Sequence, residues 1–522
     1  MVTKIRCYGS MEVIEHIKDT DVDMALLREV PYFFARNNLV MPLRRREGFF
    51  VAAVAEDNGL LAASELARKY GLSLYPLEAG RGVVIDAISK FYGQIGTAEE
   101  VMDNIAGEDL SSVAMEFERP RDLLELTEDA PIIRLLNALF QQAVKEKASD
   151  IHIEPFEKEL DVRMRVDGIM HRALTPPKII QDALISRVKI MANLDIAEKR
   201  LPQDGRIRLL IGGQDIDIRV SIVPTSSGER VVMRLLNRRH GLIGLGEMGI
   251  DTDDVKRMEE LLTRTSGIIL VTGPTGSGKT TTIYAALNRI YTEEKNIITV
   301  EDPVEYQLKG IGQIHVNPRV GLTFANGLRS ILRQDPDVIM IGEIRDFETA
   351  EIAIQASLTG HLVLSTLHTN DAPSAITRLV DIGVEPFLVA SSLVAVVAQR
   401  LVRVICAHCK ESYKTSDVER SYFPDPPFVT SQPSVLYRGR GCQGCRGSGY
   451  SGRTGIYELL YIDNQTRQMI SAKVDSQTIK SHATTRGMKT LYMDGLNKAI
   501  KGLTTLQEVV RVTQKDYADI PL

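Results

Sequence analysis

The chain has 522 residues, a formal net charge of −5, 44% apolar residues and 25% charged ones. That composition excludes wholesale disorder and a collagen-like repeat, and the slight acidity argues against a protein built mainly to coat nucleic acid. At about 150 residues per domain the length predicts three or four domains.

Glu12 and Glu15 stand among the first residues with no apolar core around them, so no signal peptide is expected. Ile352 to Asn370 is the longest charge-free stretch, but Gln355, His361, His368 and several Ser/Thr interrupt it. A spanning helix needs roughly 20 mostly apolar residues, so a soluble protein is expected, reaching any membrane through partners. Five cysteines make no disulfide scaffold, and four of them fall in two C-x-x-C pairs, which suits a reducing compartment.

Residues 1–115 read as mixed helix and short strands. Val40 to Val54 is apolar around Arg44, Arg45 and Arg46, and helical spacing from Ala63 to Tyr70 stops at Gly71. They carry no chemical motif, so a partner-docking or regulatory domain is expected there, against a purely structural remnant. Residues 116–127 have linker character.

Residues 128–236 predict a small α+β domain. Ile132, Leu135, Leu136, Leu139, Phe140 and Ala143 form the stripe of an amphipathic helix. The period then changes to two: Leu160, Val162, Met164 and Val166 alternate with Asp161, Arg163, Arg165 and Asp167. Ile207, Leu209 and Ile211 alternate with Arg206 and Arg208, Gly212-Gly213 turns the chain, and Ile216, Ile218, Val220 and Ile222 alternate with Asp217 and Arg219. The outcome is an antiparallel sheet whose polar face is lined with arginines. The Gly-rich segment 237–249 joins it to the next domain.

From 250 to 522 the short apolar runs 268–272, 297–300, 338–341 and 362–365 alternate with helical stretches. Such runs belong in a parallel sheet covered on both faces, an α/β fold. The first run leads into Gly273-Pro274-Thr275-Gly276-Ser277-Gly278-Lys279-Thr280-Thr281, which fits G-x-x-x-x-G-K-[ST] between a strand and a helix. Glycines there let backbone N–H groups turn onto phosphate oxygens. Lys279 is expected on the β- and γ-phosphates of ATP and Thr280 on Mg2+. Two acidic clusters end neighbouring strands: Glu301 and Glu305 after 297–300, and Glu343 after 338–341. Glu343 suits a magnesium-linked acid, with Gly342 in a slot often taken by Asp, and Glu301 or Glu305 suits the group that orients or deprotonates water. His361 and His368 bracket the last run. Each is a candidate γ-phosphate sensor, against a structural role.

Cys406, Cys409, Cys442 and Cys445 form two knuckles, the second among Gly439, Gly441, Gly444, Gly447 and Gly449. Four thiolates predict structural Zn2+ in an insertion at 400–453, in preference to a redox dithiol or an iron–sulfur site. His408 is then superfluous and Cys7 inert. The insertion has nine basic residues against four acids, a face for anionic headgroups or simply a solvated one.

In this order, the phosphate-loop motif, Ile297–Glu305, Asp335-Pro336-Asp337 through Asp346, His361–His368 and the four cysteines resemble the secretion ATPases of type II secretion and type IV pilus assembly, nearest the type II members. Ala148–Pro155, Leu201–Arg206 and Gly487-Met488 with Thr504-Thr505 match as well; the resemblance spans about 120–515, and residues 1–115 match only loosely. It implies a hexameric ring of RecA-like domains binding ATP between neighbours. Arg206 and Arg219 of the small domain would be lent to that site, with Arg163 and Arg165 as further candidates, and 237–249 would act as hinge. The implied partners are a polytopic inner-membrane platform protein, which would be driven to add pilin-like subunits to a pseudopilus, and the cytoplasmic part of a bitopic inner-membrane component, docked by the N-terminal domain. The implied location is cytoplasmic, peripheral to the bacterial inner membrane, with no nucleic acid expected. A type IV pilus extension ATPase, a nucleic-acid translocase gripping through the basic zinc module and a nucleotide-binding switch without turnover are the competing readings.

Overall fold

The computed structural model describes residues 12–30, 32–46, 48–92, 131–211, 214–237, 243–423 and 433–517. The linker 116–127, the Gly212-Gly213 turn, Cys7 and residues 238–242 lie outside them. The chain divides into two units, Met1–Arg239 and His240–Leu522.

In the first unit, β1 (Glu12–Ile14), β2 (Val40–Arg46), β3 (Phe49–Val54) and β4 (Ser73–Ala79) form a sheet in the order β1-β4-β3-β2. β3 reads as a continuous apolar run because both its faces are covered. Val51 and Ala53 pack with Val84, Ile88 and Phe91 of the helix Arg81–Tyr92. Phe50, Ala52 and Val54 pack with Ala62 and Leu66 of the helix Asp57–Lys69.

A second sheet contains β5 (Asp150–Pro155), β6 (Leu160–Val166), β7 (Ile169–Leu174), β8 (Gln203–Ile211), β9 (Gln214–Thr225) and β10 (Gly228–Asn237) in the order β7-β6-β5-β10-β9-β8. Every pairing is antiparallel. Ile151, Ile153, Val162, Met164, Ile216, Ile218 and Val231 form its apolar face, covered by the helices Pro131–Lys145 and Gln181–Met191. The alternation in β6 and β9 is the signature of this half-covered sheet.

The second unit is built on β11 (Gly267–Thr272), β12 (Ile297–Glu301), β13 (Gly312–His315), β14 (Val338–Ile341), β15 (Leu362–Leu367), β16 (Leu393–Ile405) and, after the two-stranded ribbon β17 (Lys410–Lys414) and β18 (Val435–Gly439), β19 (Tyr450–Tyr461). The sheet order is β13-β12-β14-β15-β11-β16-β19. All neighbours run parallel except β19, which is antiparallel to β16. Leu270, Val300, Ile339, Ile341 and Val363 enter one core, and Ile269, Val271, Met340, Leu362 and Leu364 enter the other. This is the doubly covered parallel sheet that the apolar runs predict, and the fold is α/β. The parallel strands bring the ends of β11, β12, β14 and β15 to one edge, where α/β sheets carry their ligands. No helix among the described residues is long and apolar enough to cross a membrane.

Candidate nucleotide site and metal centre

β11 ends at Thr272, which is tied to the end of β15: its Oγ1 donates to Leu367 O at 3.2 Å and lies 2.7 Å from Thr369 Oγ1. The loop then needs three glycines at positive φ, Gly273 (146°), Gly276 (79°) and Gly278 (91°), where other residues are strained. A Cβ on Gly273 would stand 2.4 Å from Gln399 O. Gly278 is the N-cap of the helix Lys279–Ile290 and makes no side-chain cap, so the first N–H groups of that helix are left for an anion. Ser277 Oγ is buried without a hydrogen-bond partner. Pro274, Thr275 and Gly276 are exposed, while Thr280 and Thr281 are half-buried. Lys279 Nζ donates to Gly273 O at 2.8 Å and Pro274 O at 3.2 Å. These features fit a phosphate group: an uncapped helix start, an orphaned hydroxyl and an ammonium turned into the loop.

Lys279 Nζ lies 3.5 Å from His368 Nδ1, and His368 Nε2 lies 3.2 Å from Glu343. The imidazole thus stands between the lysine and the carboxylate, one ring nitrogen toward each. The other oxygen of Glu343 pairs with Arg345. Lys279, His368, Glu343 and Arg345 thus form a chain across the ends of β11, β15 and β14. Burial pushes the Lys279 ammonium down, opposed by the Glu343 charge. Burial would raise Glu343, but Arg345 first and His368 second outweigh it and hold the carboxyl below the usual range. Gly342 fits because a Cβ there would stand 3.2 Å from the Phe324 ring and 3.4 Å from the Glu301 backbone.

Glu301 is in a different setting. It is 2% exposed and accepts hydrogen bonds from Tyr284, from Thr299 Oγ1 at 2.5 Å and from Gln313 Nε2 at 3.0 Å. Burial, with the Glu301 charge, pushes the Tyr284 phenol well up, so it stays a donor. The same hydroxyl accepts from the Glu305 backbone N–H at 3.3 Å, so this network holds the segment that carries Glu305.

The two histidines separate cleanly. His368 follows β15 at the phosphate-loop edge. His361 precedes β15 at the opposite edge, with Nδ1 2.8 Å from Ala356 O and 3.2 Å from Thr359 Oγ1. It ties off the end of the helix Phe347–Leu358 and has no place at the phosphate loop.

Sequence reading missed Gln399. It is fully buried on β16, with Nε2 donating to Ser277 O at 2.6 Å and Oε1 accepting from Thr282 Oγ1 at 2.6 Å.

In the first unit, Arg206 is exposed on β8 directly opposite Arg219 of β9, which is opposite Arg234 of β10. Arg163 and Arg165 are held within their own sheet. Arg163 pairs with Glu154 at 2.6 Å and Arg165 with Asp150 at 3.7 Å. Arg230 shares Glu154, and Arg234 shares Asp150 at 3.0 Å. The arginine-lined face therefore carries its own buried acids, supplied by β5.

The four cysteine Sγ atoms all lie within 4.8 Å of one another, with 3.9 Å for Cys406–Cys442, 3.8 Å for Cys409–Cys445 and 3.7 Å for Cys442–Cys445. A tetrahedron with Zn–S near 2.3 Å has S–S edges of about 3.8 Å, so the donor set fits Zn2+. Backbone N–H groups of Cys442 and Gly449 point at Cys445 Sγ at 3.1 and 3.2 Å, which favours a thiolate. Glycines let the knuckle strands touch: a Cβ on Gly439 would stand 2.1 Å from Gly449 O. The basic excess of this insertion is partly cancelled. Arg438 and Arg440 share Glu411, Arg420 pairs with Asp417 and Arg403 with Glu508.

Comparison with known proteins matches residues 125–511 to the family described as type II/IV secretion system protein, and residues 11–98 to the MshEN domain. Type II secretion system protein E of Pseudomonas aeruginosa is 49% identical over 492 residues, covering 94% of this chain and 97% of that protein. Type II secretion system ATPase E of Vibrio cholerae is 48% identical, with 94% and 97% covered. Type IV pilus assembly ATPase PilB of Myxococcus xanthus is 42% identical, with 96% and 89% covered. Among solved structures, the Legionella pneumophila ATPase DotB superposes with a TM-score of 0.54 at 19% identity, covering 76% of this chain and 98% of that one, a likeness of fold.

Proposed function

The chain belongs to the type II/IV secretion system protein family, and from that premise we propose how its residues power secretion. It is an ATPase of the type II secretion kind, as its relatives are named. The observation that carries the mechanism is the Lys279–His368–Glu343–Arg345 chain beside the glycine loop. The loop N–H groups and Lys279 receive the phosphates of ATP, and His368 reports the occupancy of the lysine to Glu343. Thr280 and Glu343 would hold Mg2+, which neutralises phosphate charge when bound. Glu301, locked by Tyr284, Thr299 and Gln313, keeps Glu305 near this edge, and one of these two acids orients the attacking water. Arg206 and Arg219 are lent to the site of a neighbouring protomer in a hexameric ring, where an arginine on a transferring phosphoryl group is worth about 10³–10⁵ in rate in GTPases. Turnover then changes the angle between the domains about 237–249. The cysteine cluster holds Zn2+ and staples the insertion.

The ring works at the cytoplasmic face of the inner membrane. It drives a polytopic platform protein that adds pilin-like subunits to a pseudopilus, and residues 1–115 dock on the cytoplasmic part of a bitopic component. Phosphate release by Glu343→Gln tests this: it should fall to a small fraction of the unaltered rate, and unchanged release would leave only a nucleotide-dependent switch. The likeness to the PilB pilus ATPase supports a second reading, a motor for type IV pilus assembly. Co-purification with residues 1–115 as bait separates the two by recovering secretion or pilus components.

A further inference from the structure

We propose that Gln399 is a positioning residue for ATP, holding the phosphate loop in the shape that receives it; this rests on the reading of Gly273–Thr280 as the nucleotide cradle. The parallel register of β11 and β16 ends with Thr272 beside Ala398; the next residues along the chain are Gly273, where the loop begins, and Gln399, still within β16. The Gln399 backbone carbonyl closes against Gly273, where no Cβ fits. Its side-chain amide passes beneath the loop and bonds Ser277 O at one end and the Thr282 hydroxyl at the other. One residue thus clamps the beginning of the loop, its middle and the first turn of the following helix. Gln399 is 0% exposed and Thr282 is 0% exposed, so neither bond competes with water and both act at full strength. The remainder of the loop has three glycines at positive φ, each with wide conformational freedom. Without the clamp, only a fraction of molecules would present the receptive loop, and apparent affinity falls in proportion to that fraction. Chemistry on bound nucleotide, which uses Lys279, His368 and Glu343, keeps its own rate.

The test uses the purified full chain, with steady-state phosphate release and titration of a fluorescent ADP analogue. Gln399→Leu, which removes both buried hydrogen bonds of the amide, should raise KM for ATP and Kd for the analogue at least about tenfold, roughly what one such bond is worth, with kcat changed less than about twofold. Thr282→Val, which keeps the bond to Ser277, should move both constants the same way by less. Adding it to Gln399→Leu should cost little more, because the two act through one amide. Unchanged KM and Kd in folded Gln399→Leu, or a loss confined to kcat, overturns the proposal. If that variant does not fold, Thr282→Val decides alone, and unaltered constants there overturn it as well. Lys279→Ala separates this from the underlying reading: tight analogue binding without Lys279 would remove the cradle itself, whereas binding lost in Lys279→Ala and kept in Gln399→Leu removes only the clamp.

Discussion

The loop Gly273–Thr280 and the segment Gly439–Gly449 have similar compositions and are held by different means. Each relies on glycines at positive φ, Gly273, Gly276 and Gly278 in the first and Gly441, Gly447 and Gly449 in the second. The first grows out of β11, buried on both faces in the two cores of the sheet, and is braced by Thr272 and Gln399. Its shape exists before any ligand arrives. The knuckles have little apolar support of their own. The ribbon β17–β18 gives Leu436 to a small cluster with Phe423, Tyr492, Leu496, Ala499, Leu506 and Val509, and the rest depends on four sulfurs. A prebuilt loop loses function when a side chain is removed; a stapled one loses structure.

The largest effect expected is catalytic. Lys279→Ala should lower phosphate release by on the order of 10²–10³-fold, as the loss of one preorganised charge stabiliser does, with a melting temperature close to the unaltered protein's. The lysine bonds Gly273 O and Pro274 O, and a large fall in melting temperature would mean that the loop depends on those bonds for its shape, so the contrast would fail. Cys442→Ser should act on structure. Structural zinc supplies roughly 10–16 kcal/mol in small metal modules, so the variant should lose bound zinc and admit protease between residues 406 and 449 while the parallel sheet stays intact. Protease resistance equal to the native chain's would show that the cluster around Leu436 suffices.

A subtler comparison uses pH. The folded Glu343 carboxyl is held below the ordinary range chiefly by Arg345, so its charge persists at neutral pH. That charge is lost only as the pH falls through the depressed value, below the ordinary Glu value of about 4.3. In Arg345→Ala only His368 is left to oppose burial, and the acid limb of kcat/KM should move to higher pH; a stationary limb would take Arg345 out of the control of this carboxylate. Least in size, Gly276→Ala and Gly441→Ala both force a side chain into positive φ, a strain of about 1–2 kcal/mol. A Cβ at Gly276 meets nothing within 4 Å, whereas one at Gly441 stands 2.5 Å from Gly447 O. The knuckle variant should melt lower, and equal melting temperatures would erase the distinction.

What was legible in the sequence was local. The phosphate-loop motif and the two C-x-x-C pairs carry their geometry in their own spacing, and the apolar runs announce a doubly covered sheet. The pairing of distant strands was not legible. Gln399 reaches Ser277 across 122 positions because β16 lies beside β11, and nothing in the run Leu393 to Ile405 distinguishes that glutamine from any other polar interruption. Asp150 and Glu154 belong to a strand whose partners, β6 and β10, supply the arginines they bind; alternation within β6 and β9 displayed those strands' own arginines and aspartates but not the acids that β5 sets against them. His361 and His368 look alike flanking one apolar run, and only strand direction sends the second to the phosphate loop and the first to a helix end.

β16 continues past Gln399 to Ile405 and delivers Cys406 directly to the sulfur cluster. Seven residues of extended chain span about 23 Å, and past Ala398, where β11 ends, the strand keeps β19 as its neighbour as far as Ile405. The floor of one loop and the first anchor of the other are therefore two ends of a single strand, and the backbone itself is the shortest link between the knuckles and the underside of the phosphate loop.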